Sequence, residues 1–444
     1  MDSRLRVLLS AWFVALGLLL AALAGCGRSP SPTSTFPVQS PAPTLSSTTP
    51  TSATPSPILT PMEPISPSVR LTIWGPEQFA PGEEDDGRKI LQSQYQAFVS
   101  ENANLELEYV PKAPYGEGGL LHFLLSASYA APDTLPDVAI VDAFELGPLA
   151  RAALAQPLQE LVGEELRQDL FPFAQEACTF DGDLIALQFE ADIEHLIYHT
   201  GTLEAPPVTW ADLFTGSISY IFPAGSEEGL VNDAFLIQYL AQGAHLVDEE
   251  GRPNVEDFAI RQVLRLYNTG TNEDVIPSKV LELSSLEECW EAYTEGNITL
   301  SHISSWRYLS SRARLEDTNF APLPTQSGDV ATMSRGWAFV IITPDPLRQA
   351  AAARLIEWLM APQNLAEWSV TTSHLPTRAT ALRLTDWPKD YTDFLATQLE
   401  NAFFRPSTPE FERIARALQG AVEDVLTGER SPRSATYDVM DILE

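Results

Sequence analysis

The stretch Leu135-Pro-Asp-Val-Ala-Ile-Val-Asp-Ala143 decides the fold. A proline turn leads into a short unbroken apolar run that ends on an aspartate. A run of that length, with no alternation of polar residues, is the pattern of a strand buried on both faces. Two further strand patterns precede it. Val69-Arg-Leu-Thr-Ile-Trp74 is β-branched and apolar, and Leu105-Glu-Leu-Glu-Tyr-Val110 alternates with period two. Between the first two, Gly87 to Asn102 sets Ile90, Leu91, Tyr95 and Phe98 on one helical face. Between the last two, a Gly-rich loop and an apolar helix run from about Leu120 to Tyr129. Strand, helix, strand, helix, strand implies a parallel sheet with right-handed crossovers. Such sheets bind ligands beyond the carboxyl ends of their strands. That rule sets Trp74 to Glu77 and Asp142 to Glu145 on one shared edge.

The chain has 444 residues, more than one hydrophobic core usually supports, so two lobes are expected. A hydrophobic content of 44% with nine tryptophans fits a well-buried globular chain. The net charge of −33 argues against nucleic acid as a partner. At the N-terminus, Arg4 and Arg6 precede a mostly apolar run from Val7 to Ala24, the pattern of a secretory leader. An uncleaved membrane helix is the alternative for that run. From Gly27 to Ser68 about two-thirds of the residues are Ser, Thr or Pro and the only charges are Arg28 and Glu63, a composition that cannot form a core. A tether of this kind reaches roughly 40 to 130 Å.

Leu23-Ala24-Gly25-Cys26 resembles the lipobox of bacterial lipoproteins. The resemblance implies lipidation of Cys26 and a mature chain anchored to the extracytoplasmic face of the membrane. The rest of the chain resembles the family 1 extracellular solute-binding proteins, the maltose-binding-protein-like receptors of ABC importers. The segments that carry this likeness follow one another in order. They are Leu71 to Pro76, Leu135 to Leu161, Asp181 to Phe214, Glu295 to Trp306, Gly328 to Thr343, Ala351 to Leu382 and Ala417 to Leu443. The likeness implies a two-lobed periplasmic-binding-protein-like α/β fold, each lobe a mostly parallel sheet flanked by helices, with hinge strands crossing between lobes. It divides the chain into a leader (1–25), a lipidated tether (26–68), a first lobe (69–189, with a return segment 335–362) and a second lobe (190–334, with closing helices 363–444). The chain departs from the family pattern at Ala186-Leu187-Gln188-Phe189, where a Gly-Leu-Pro turn is usual, so a differently shaped hinge is expected.

The implied function is a lipid-anchored receptor that captures a mono- or oligosaccharide and delivers it to an ABC permease, as a monomer and without chemistry of its own. A solute sensor that keeps the fold without transport is the alternative. Sugar rings sit on aromatic faces and need fixed polar partners for their hydroxyls. The aromatic candidates are Trp74, Phe144, Phe222, Trp306, Tyr308 and Trp337; the polar ones are Glu77, Glu145, Asp192 and Arg335. Each has a structural reading as well. Trp74 and Trp337 border apolar strands, Phe222 precedes a proline, and Asp192 and Arg335 suit an inter-lobe ion pair. Glu190, Asp192, Glu194 and His195 stand close together, but strand alternation turns His195 away from the first two carboxylates, which argues against an acid and base pair. The six histidines lack metal-ligand spacing and Glu83 to Asp86 lacks the pattern of a calcium loop, so neither metal nor cofactor is expected. Cys178 and Cys289 are the cysteines left beside Cys26, and their pairing stays open.

Overall fold

The computed structural model describes residues 68–226 and 228–444. Cys26, with the expected leader and the tether up to residue 67, lies outside the described residues. Among the described residues no helix is long and apolar enough to cross a membrane.

The first sheet is built from β1 (Val69–Gly75), β2 (Leu105–Pro111), β3 (Val138–Asp142), β4 (Leu187–Gln188) and, after a long excursion, a return strand Trp337–Ile341. β1 pairs in parallel with β2, Val69 opposite Leu105, and with β3, Ile73 opposite Val138. The return strand runs antiparallel to β3, Trp337 opposite Asp142, and to β4. Leu71, Ile73, Val138 to Val141 and Val340 are buried because helices cover the sheet. The helix Asp86–Glu101 starts where the Asp85 carboxylate accepts the Arg88 N–H, and it buries Leu91, Tyr95 and Phe98 at the expected spacing. Ile90, expected on the same face, is half-buried at its margin.

The second sheet is organised by one ten-residue strand, β5 (Glu190–His199). Its partners are β6 (Tyr220–Ile221), reached through β7 (Leu300–Ser304), then β8 (Thr318–Ala321), β9 (Thr332–Arg335), β11 (Leu375–Pro376) and, beyond β9, β12 (Ala402–Phe403), the return strand being β10. β5 pairs with β11 at Glu190 and Ala191, with β9 at Asp192 and Ile193, and with β8 from Leu196 to His199, where β7 takes the opposite edge. All four run antiparallel to it. The expectation of a mostly parallel sheet is therefore corrected for the second lobe. The first sheet is mixed, and in the second only β6 with β7 and β9 with β12 are parallel. The reason is connectivity, since partners that come back from distant loops need no helical crossover.

The chain passes between the lobes three times. It crosses at Phe189 between β4 and β5, at Gly336 between β9 and β10, and after the helix Pro362–Thr372 on the way into β11. That helix lies against Asp86–Glu101 and gives Leu365 and Trp368 to the first core, while the Gln94 amide donates to the Asn364 carbonyl at 2.9 Å. This helix, expected among the closing helices of the second lobe, thus packs with the first core. The crossings are stitched together: Phe189 N–H donates to the Trp337 carbonyl at 3.0 Å and the Thr377 hydroxyl to the Gln188 carbonyl at 2.6 Å. The unusual Phe189 stacks on Phe339 at 4.4 Å and meets Phe79 and Trp368 edge-on. A side chain thereby fills the waist where a turn was expected to be reshaped. Cys178 and Cys289 are buried, free, and in different cores.

Candidate functional site

The lobes face each other across a cleft bounded by the waist. On the first wall, β3 ends at Asp142, whose Oδ1 accepts the Phe144 N–H at 2.9 Å and starts the turn Ala143–Glu145. Its Oδ2 accepts the Tyr115 hydroxyl at 2.6 Å, and the Tyr115 ring leans on Trp337 at 5.8 Å. On the second wall, Asp192 and Arg335 are cross-strand partners. Asp192 Oδ1 accepts the Ser305 hydroxyl at 2.6 Å and the Trp306 N–H at 2.9 Å, which fixes its rotamer at the start of the helix Ser305–Ser311.

Two arginines close this wall. Asp233, 1% exposed, receives Arg335 Nε on one oxygen at 2.7 Å and Arg405 Nε on the other at 2.6 Å. Burial by itself would raise the Asp233 carboxyl, but the two guanidinium charges outweigh it and hold the group at about 2. The carboxylate is ionised and holds both arginines by their Nε atoms. The arginines line two adjoining cavities. One, of about 210 Å³, is bounded by Tyr115, Asp142, Phe144, Gln188 and Phe404. The other, of about 430 Å³, is bounded by Asp192, Asn232, Ser284, Ser285 and Ser304. At the rim the walls touch: Ser407 Oγ donates to the Phe144 carbonyl and accepts the Gly147 N–H at 2.9 Å, and Phe144 meets Phe411 edge-on at 5.3 Å. A larger cavity of about 700 Å³ lies on the outer face of the first lobe, between Tyr95 and Tyr109, and shares no residue with the cleft.

Of the residues singled out in the sequence, Phe144, Asp192 and Arg335 line the cavities. Glu145 stands behind Phe144, with an Oε2 that is out of solvent and has no hydrogen-bond partner. Burial, followed by the charge of Asp142, pushes its carboxyl up to about 7. Trp306 is half-buried beside Asp192, its ring tilted toward His374 at 6.4 Å and flanked by the Arg307 guanidinium at 4.8 Å. Trp337 supports the site from behind, packed on Phe79 and Tyr115. Trp74 ends β1 under the Lys112 ammonium, and Glu77 is exposed and paired with Arg88 at 2.9 Å; neither lines a cavity of the cleft. Phe222 and Tyr308 are corrected to core residues. Phe222 is 1% exposed and stacked on Tyr267 at 4.8 Å, and Tyr308 packs among Tyr391, Phe320 and His195. His195 turns away from the cleft, as strand alternation requires, and bonds the Tyr391 hydroxyl at 2.9 Å.

Tyr115, Phe404, Arg405 and Asp233 were not among the expected site residues. Tyr115 sits in a Gly-rich loop, Arg405 follows a two-residue strand, and Asp233 opens a helix that reads as plain core. No periodicity marks any of them.

The region 96–396, about two-thirds of the chain, matches the family of bacterial extracellular solute-binding proteins. The chain belongs to that family. It is 22% identical over 316 residues to the maltotriose-binding protein of Pyrococcus abyssi, an alignment covering 69% of this chain and 68% of that protein. Its fold is shared with the sugar-binding protein MalE of Xanthomonas citri, at a TM-score of 0.70 and 21% identity, over 84% of this chain and 96% of that one. It is shared too with the cyclic alpha-maltosyl-1,6-maltose binding protein of Arthrobacter globiformis, at a TM-score of 0.69 and 18% identity, over 85% and 98%. Membership makes this a solute-binding protein rather than an enzyme.

The pH behaviour of Glu145 is a test of this wall. A carboxyl raised in the folded state adds stability below its unfolded pKa and loses it as pH rises through the folded value near 7. Glu145→Gln keeps the neutral form at every pH. It is expected to melt with wild type near pH 4 and above it at pH 8, by differential scanning calorimetry; equal melting at pH 8 would contradict the assigned burial.

Proposed function

We propose that this protein is the receptor of an ABC importer and that it captures a carbohydrate in the cleft between its lobes. One observation carries this reading: the cavity walls pair exposed aromatic faces, Tyr115 and Phe144, with fixed carboxylate and guanidinium groups, Asp142, Asp192 and Arg335. An aromatic face covers the apolar side of a sugar ring, and oriented charged acceptors and donors bind its hydroxyls more strongly than neutral ones. The named sugars of the relatives, maltotriose among them, support the class. Closure of one wall on the other converts binding into a shape that a permease can read.

We further propose that Cys26 is lipidated and that the tether beyond it holds the receptor at the outer face of the membrane, as the lipobox-like Leu23 to Cys26 supports. Expressed in bacteria fed a labelled fatty acid, the protein is expected to carry the label and Cys26→Ala to lack it; label on both would remove the anchor from this account.

Saturating solute stabilises a receptor by roughly 2.7 kcal/mol at a hundred times its dissociation constant. A melting screen with maltose, maltotriose and amino-substituted oligosaccharides is expected to give a shift. Asp192→Asn, which leaves the fold's hydrogen-bond acceptor in place, is expected to weaken binding by about tenfold or more. No shift with any oligosaccharide would exclude the carbohydrate reading.

A further inference from the structure

The signs of the charges in the cleft do not balance. Strand alternation puts Gln188, Glu190 and Asp192 on one side of the chain. Gln188 lines the smaller cavity and Asp192 the larger, and Glu190, between them in the chain, lines neither and is enclosed. Its side chain is 4% exposed and its Oε2 has no hydrogen-bond partner. The nearest cationic candidate, His374 Nε2, stands 3.9 Å away, beyond hydrogen-bond reach. Glu145 Oε2 is likewise out of solvent and unpartnered. Burial first, then the charges of Asp142, Glu145 and Glu190, raise the Tyr115 phenol, whose hydroxyl donates to Asp142. Arg335 and Arg405 are engaged on the opposite wall by Asp233.

Burial holds the Glu145 and Glu190 carboxyls toward the neutral form, and a cation that arrives with the ligand favours their ionisation. The same cavity offers Tyr115, Phe144 and Phe404, aromatic faces of the kind that attract a cation. A bare metal ion is a poor fit, because among the described residues no three His, Cys, Asp or Glu side chains are placed to hold one.

We propose that the cavity of about 210 Å³ seats a protonated amine of the solute, with the ammonium against Asp142 and the faces of Tyr115 and Phe144 and the rest of the solute toward Arg335 and Arg405. The proposal rests on the receptor reading and narrows its ligand, either to a sugar carrying a basic nitrogen or to a small free amine. Asp142, Tyr115, Glu190, Asp192, His374, Arg335 and Arg405 are the titratable and charged groups that face this cavity or adjoin Glu145. Glu145 titrates near 7 and takes up a proton as pH falls. Affinity for an amine that stays protonated across this range, such as spermidine, therefore weakens from pH 8 to pH 6, while affinity for a neutral sugar has no such dependence.

Isothermal titration of the purified protein with four probes separates the possibilities: glucosamine trimer, N-acetylglucosamine trimer, maltotriose and spermidine. The expected result is glucosamine trimer binding about tenfold or more tighter than its N-acetylated counterpart, the size of one charge-assisted contact. In Asp142→Asn, which keeps an acceptor for the Phe144 N–H, that ratio is expected to fall toward one; Glu145→Gln provides the same comparison if the first variant does not fold. Spermidine binding with all three sugars silent would keep the ammonium site and overturn the carbohydrate reading. Equal affinity for the two trimers, or maltotriose binding tighter than both, would overturn the ammonium site and leave the carbohydrate reading standing. Silence from all four would overturn both.

Discussion

Three backbone crossings have to share one narrow waist, and at Gly336 there is no room for a side chain. A Cβ there would fall 2.0 Å from the Glu190 carbonyl oxygen and 2.5 Å from the Gln188 amide nitrogen. The approach is what lets β9 leave Asp192 and enter β10 beside Gln188 within a single residue. Everything in the cleft inherits its position from that passage. Asp192 and Arg335 are opposite each other because β5 and β9 pair just before the crossing, and Trp337 backs Tyr115 because β10 starts just after it. Phe189, wedged among Phe79, Phe339 and Trp368, packs the first-lobe side of the same waist. Aromatic packing holds the waist while two walls built from separate sheets remain able to move about it.

Charge is distributed across the cleft with opposite logic on its two walls. On the second lobe, one buried carboxylate is satisfied twice over, so Asp233 is a fixed ion that orients both arginines. On the first lobe and at the waist, Asp142 has tyrosine and backbone donors, while Glu145 and Glu190 each keep a buried oxygen with no hydrogen-bond partner. The first arrangement is complete in the protein. The second is completed by whatever the cleft takes in, and this asymmetry makes the smaller cavity a place of selection.

The first lobe was legible because its parallel strands are short, unbroken apolar runs separated by helices, and the rule for ligand sites at strand ends led directly to Asp142 through Glu145. The second sheet was not. Its organising strand takes partners from residues more than a hundred positions away, and several strands of the sheet are only two residues long, as at Tyr220–Ile221 and Ala402–Phe403, pieces that leave no periodic trace. The candidate site divided along the same line. Phe144, Asp192 and Arg335 sit at strand ends and were found, whereas Phe222 and Tyr308 were chosen as aromatics near strand ends and proved to point into the core. Arg405 and Tyr115 reach the cleft from loops, and nothing local to Asp233 announces that two distant arginines converge on it. The family likeness supplied the lobes and the crossings; the charges in the cleft came only from the side chains in place.

The most direct measurement is the distance between spin labels placed on exposed positions of the two lobes, followed as maltotriose or glucosamine trimer is added. A receptor whose solute lies between its walls gives a shorter, narrower distance distribution with at least one of them. A ligand that binds yet leaves the distribution unchanged would contradict a site shared by both lobes.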